Sequence, residues 1–75
     1  MIQVAIINQA QVIFEGIATN VILPGDYGEF EIMQFHWPIV SVLIKGEIII
    51  DQMGFPISRG IARFGEEKLV ALVEL

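Results

Sequence analysis

The chain has 75 residues, enough for one domain and a thin core, since so short a chain hides only about 60–65% of its unfolded surface on folding. It carries no cysteine, which excludes disulfides and thiolate zinc sites, and it has only four basic residues against nine acidic ones, a net charge of −5. Without a basic stripe to neutralise phosphates, nucleic-acid binding and attraction to an anionic lipid surface are both excluded as expectations.

Strand formers dominate from the start. Ile2 to Asn8 reads as a first strand, followed by the polar connection Gln9-Ala10-Gln11. Val12 to Leu23 reads as one long strand, with Gly16 marking a bend or bulge. Pro24-Gly25-Asp26 reads as a turn. In Glu29-Phe30-Glu31-Ile32 polar and apolar residues alternate, so both carboxylates point one way and Phe30 and Ile32 the other. Pro38 ends an irregular segment, and Ile39 to Ile44 is a nearly all-apolar, β-branched run that favours a strand. Lys45-Gly46 turns into a strand from Glu47 to Asp51, and Gly54 closes the next hairpin. Pro56 to Arg59 leads through Gly60 into Ile61 to Phe64, and Gly65-Glu66-Glu67 turns the chain into a last strand, Lys68 to Glu74. About 8–10 short strands at this spacing predict an all-β fold, a two-layer β-sandwich or flattened barrel.

The apolar content is high for this length: 55% of residues are hydrophobic and mean hydropathy is +0.69. The longest apolar runs fall far short of the roughly 18–20 residues of a membrane span, and the start, Met1-Ile2-Gln3, lacks the basic leader of a signal peptide. The surplus therefore predicts apolar surface buried against a partner.

The chemistry-bearing residues concentrate between two prolines, in "LPGDYGEFEIMQFHWP", which holds Asp26, Glu29, Glu31 and the single histidine, His36. One histidine with scattered carboxylates is a poor zinc pattern, and the spacing does not match a calcium loop, so no metal site is expected. Ser41 and Ser58 lack a glycine-flanked elbow, the glycines are too dispersed to cradle phosphate, and a domain this size leaves little room for a carboxylate pair across a cleft. No catalytic residue and no cofactor are expected. Trp37, beside His36, suits a contact loop, since Trp and Tyr are favoured interface anchors; a buried Trp bracing the loop is the other reading.

The order of motifs resembles a known family. Phe14 and Gly16 precede a strand ending in Leu23-Pro24-Gly25. Gly28-Glu29-Phe30 follows, then His36, Pro38, an apolar strand, "KGEIII" (Lys45 to Ile50), Gly60 and a terminal "KLVAL". This is similar to the N-terminal β-sandwich of the epsilon subunit of F-type ATP synthases (delta in mitochondria), where the run reads approximately LPGxxGEFGILPGHAPL, then LxxGxIxI. The chain departs from it at Glu31, Gln34 and Phe35, where the family usually has Gly, Pro and Gly, and at Trp37, where a small residue is usual. Most members continue into a two-helix C-terminal domain; the expectation here is residues 1–75 as the sandwich domain alone.

The resemblance implies a non-catalytic rotor subunit of the central stalk, clamped to the gamma subunit and resting on the c-ring, peripheral on the cytoplasmic face of the membrane and not inserted in it. It couples ion-driven ring rotation to gamma rotation and ATP synthesis. It also implies c-ring contact by Asp26, Glu29, Glu31, His36 and Trp37, with Glu29 matching the family's GE glutamate and His36 its loop histidine. The alternative from another class is a stand-alone β-sandwich binding module unrelated to a rotor.

Overall fold

A computed structural model describes residues 1–75. Nine strands follow one another without a helix: β1 (Ile2–Ile7), β2 (Val12–Ala18), β3 (Asn20–Gly25), β4 (Gly28–Met33), β5 (Ile39–Leu43), β6 (Gly46–Ile50), β7 (Met53–Ile57), β8 (Arg59–Gly65) and β9 (Lys68–Glu74). They form one sheet in the order β2-β1-β9-β8-β5-β3-β6-β7, with β4 added to the free side of β3. Only β1 and β9 run parallel.

The sheet curls on itself into the predicted two layers. Strand β3 makes the crossing: its far end pairs with β5 at Gly25 and Leu43, while its near half pairs with β6 at Val21 and Ile50. The rings of Phe14 on β2 and Phe55 on β7, the two ends of the strand order, meet with centroids 5.4 Å apart and close the seam. Side chains from all nine strands fill the space between the layers, among them Phe64, Ile2, Ile6, Leu23, Ile32, Ile48 and Leu69. No polar or charged residue is buried, so every candidate for recognition lies on the outside.

Three local expectations are corrected. Val12 to Leu23 is not one strand: it breaks at Thr19, where the chain turns from β2 into β3. The cause lies 32 residues away, in the Asp51 carboxylate, which accepts the Thr19 N–H at 3.1 Å and the Asn20 N–H at 3.0 Å and gives that corner its hydrogen bonds. Nor is the bulge at Gly16, which pairs regularly with Val4. The register slips between Ile6 and Ile7, leaving Ile13 as the extra residue of β2.

Third, Pro24, Gly25 and Gly54 lie within strands, and the turns fall beside them. The β6–β7 and β8–β9 hairpins turn on Asp51-Gln52 (φ 44° and 81°) and Glu66-Glu67 (φ 52° and 60°). Both residues at positive φ in a two-residue loop is the type I′ arrangement that matches strand twist. It is built here without glycine at either turn position: Gly65 stands immediately before the β8–β9 turn, as expected, whereas Gly54 lies beyond the β6–β7 turn, inside β7.

Candidate functional site

The first part of the site is the β3–β4 hairpin. Gly25 and Gly28 face each other across its end, with Asp26 and Tyr27 at the tip. A side chain at Gly25 would lie 2.8 Å from both the Phe30 ring and the Gly28 carbonyl, so glycine lets the ring fold back against the strand. Asp26 is tied by its N–H to the Val42 carbonyl (3.1 Å), and Tyr27 stands fully exposed.

Along β4 the alternation follows the sequence. Ile32 is buried and Phe30 half-buried against the core, while Glu29, Glu31 and Met33 are exposed. Glu29 and Glu31 share a face about 7 Å apart, two strand residues. The Asn20 amide nitrogen donates to Glu31 Oε2 at 2.5 Å; the Glu29 carboxylate has no partner within the chain. β4 pairs with β3 alone, so its other backbone edge is open, and charged side chains on such an edge discourage unwanted strand addition.

The second part is the segment leaving β4, Gln34 to Pro38. Phe35 has φ 69°, and its N–H donates to Glu67 Oε1 at 2.9 Å. The His36 N–H donates to the Met33 carbonyl (3.1 Å). The His36 Nδ1 lies 2.6 Å from the Trp37 carbonyl; a carbonyl only accepts, so Nδ1 carries the proton. The His36 ring stands edge-on to Phe64, centroids 5.9 Å apart, which anchors the loop to the core. Phe35 and Trp37 point outward, 84% and 83% exposed. The alternative of a buried, bracing Trp37 is thereby set aside: the half-buried His36 braces the loop, and Trp37 is presented.

Asp26, Glu29, Glu31, His36 and Trp37 are thus strung along one hairpin and its exit and do not converge on a point; no three acidic or histidine side chains come close enough to share a metal ion. What such a row can do is make charge-assisted hydrogen bonds and ring contacts with an opposing surface.

A further surface lies on the outer face of β5, β8, β9 and β1. The register places Val42 beside Ile61, Ile61 beside Leu72 and Leu72 beside Ile7, with Val40, Arg63, Val70 and Ala5 in the next row. Val40, Val42, Ile61 and Leu72 are between 45% and 67% exposed. The apolar surplus predicted a face of this kind, but its position was not read. The signal was "IVSVL" itself: a strand apolar on both faces needs cover on both.

The fold defines a class, a small and mainly antiparallel β-sandwich curled from a single sheet with its polar groups outside. The family described as "ATP synthase, Delta/Epsilon chain, beta-sandwich domain" matches residues 1–74, and the chain belongs to it. The chain is 32% identical over 74 residues to the ATP synthase epsilon chain of Xanthomonas campestris pv. campestris (strain B100), covering 92% of this chain and 53% of that protein. It is 30% identical over 79 residues to the ATP synthase epsilon chain of Sulfurovum sp. (strain NBC37-1), covering 99% of this chain and 62% of that one. It therefore spans little more than half the length of these relatives. The fold is also that of a chain in the central stalk and c-ring structure of the Tetrahymena thermophila mitochondrial ATP synthase, with a TM-score of 0.80 at 12% identity, covering 99% of this chain and 63% of that one.

Proposed function

We propose that this domain is a non-catalytic rotor component of an F-type ATP synthase, seated between gamma and the c-ring at the membrane's cytoplasmic face, and that it couples ion-driven ring rotation to gamma rotation and ATP synthesis. The observation that carries the reading is the apolar outer face of β5, β8, β9 and β1, present in a chain whose relatives are epsilon subunits. A contiguous row of Val42, Ile61 and Leu72 left in water costs free energy that a partner recovers, at roughly 25 cal/mol per Å² covered.

The acidic and aromatic hairpin adjoins that face at Val42, whose carbonyl accepts the Asp26 N–H, and offers polar groups and rings in place of aliphatic ones, so one domain can hold two partners side by side. The sheet face takes gamma. Asp26, Glu29, Glu31, His36 and Trp37 take the c-ring, where carboxylates paired with guanidinium groups resist shear through directional bonds. The assignment is checked by co-purification with the gamma subunit of the same organism. Wild type is expected to bind, and Val42→Asp/Leu72→Asp to fail while keeping a native melting temperature, because both sites are open to water. Equal capture of the two proteins would remove the gamma-facing assignment, and no capture of either would favour a stand-alone binding module.

A further inference from the structure

Phe35 occupies the left-handed backbone region at φ 69°, which a bulky side chain enters only at a cost. The contact that compensates is remote in sequence: the Phe35 N–H is received by Glu67 Oε1 at 2.9 Å. Glu67 is itself fixed, since it lies in the tight β8–β9 turn and its carbonyl accepts the Gln3 N–H at 2.9 Å. Its second oxygen, Oε2, is screened from solvent and accepts no hydrogen bond. A carboxylate held in that way is a poor choice for stability alone. What it achieves is local. It fixes the backbone between Met33 and His36, and with it the outward aim of the Phe35 and Trp37 rings.

We propose that Glu67 is the positioning residue of an aromatic contact site, latching Phe35 in its left-handed conformation so that Phe35 and Trp37 meet a protein surface rich in arginine. Two exposed ring faces accept guanidinium by cation–π contact and stacking. Glu31 on the preceding strand and Glu66 in the neighbouring turn, both exposed, favour a cationic partner over an acidic one in a chain of net charge −5. That the partner is the c-ring rests on the rotor reading; the latch does not.

The test uses the chain's single tryptophan as its probe. In the free protein, Glu67→Ala is expected to lower the exchange protection of the Phe35 amide about tenfold or more and to reduce Trp37 fluorescence anisotropy, with the melting temperature little changed. Glu67→Gln keeps an acceptor oxygen and is expected to retain both. Unchanged protection and anisotropy in Glu67→Ala overturn the latch. Attachment to membranes bearing a c-ring stripped of this subunit is then expected to fall about tenfold for Trp37→Ala and for Glu67→Ala, but not for Glu67→Gln. A failure of the rotor reading shows instead as no attachment by any variant, wild type included. A blue shift of Trp37 emission on protein-free phospholipid vesicles would overturn the choice of a protein partner.

Discussion

Glu29 and Phe30 are neighbours with opposite fates, because a strand sends successive side chains to opposite faces. Glu29→Gln removes a charge from open water and is expected to change stability by no more than about 0.5 kcal/mol. On the proposed reading, the same change combined with Glu31→Gln weakens c-ring attachment, most at low salt where charge pairing is least screened. Equal attachment of wild type and double variant at both salt levels would reduce these carboxylates to a solvated edge. Phe30→Ala acts the other way. The ring is only half-buried, so the expected cost is about 2 kcal/mol, below the 3–5 kcal/mol of a fully enclosed Phe, read as a lowered denaturant midpoint. Glu29, Phe30 and Glu31 were legible from alternation alone. Glu67 was not, because its partner Phe35 is 32 residues away and nothing local distinguishes a turn glutamate that caps a remote amide from one that is solvated.

At the scale of elements, the strands were legible because β-branched runs and turns repeat at short intervals, whereas the breaks between them were set by contacts the sequence hides. The corner from β2 to β3 at Thr19 depends on Asp51, which stands in the β6–β7 turn. A carboxylate receiving backbone N–H groups makes stronger bonds than a neutral acceptor. Asp51→Ala is expected to cost about 2 kcal/mol, with amide exchange rising first at Thr19 and Asn20, while Asp51→Asn keeps an acceptor and loses about half of that. A uniform rise across all strands would mean that the corner is not held locally. The adjacent Gln52, at φ 81°, gives a change of opposite sign: Gln52→Gly relieves left-handed strain and is expected to stabilise the hairpin by about 0.5–1 kcal/mol in thermal unfolding.

At the scale of the whole molecule, the division of surfaces follows from the curl. All nine strands send side chains into one apolar interior. A sheet rolled in this way has one inner face to fill, and the outer face of β5, β8, β9 and β1 is left apolar and open. Strand β4 alone leaves the main strand order, and with its turn and exit it carries the acidic and aromatic groups beside that face, where the Asp26 N–H meets the Val42 carbonyl. On the proposed reading, an apolar face and an adjoining acidic, aromatic edge on one small body let it grip two partners at once, as a torque-transmitting spacer requires. The apolar composition announced the open face, and the motif order singled out the hairpin that is proposed as the second contact. Which strands share the open face could not be read, because it depends on the register between β5, β8 and β9, each from a different part of the chain.

The most direct measurement is ATP-driven ion pumping by ATP synthase membranes depleted of their epsilon-type subunit and supplied with this chain, with ATP hydrolysis followed in parallel. Wild type is expected to restore pumping per ATP hydrolysed, whereas Val42→Asp/Leu72→Asp, and separately Glu29→Gln/Glu31→Gln with Trp37→Ala, are expected to leave hydrolysis running while pumping stays low. Full pumping by both sets of variants, or no restoration by the wild-type chain although it binds the complex, would contradict the rotor reading.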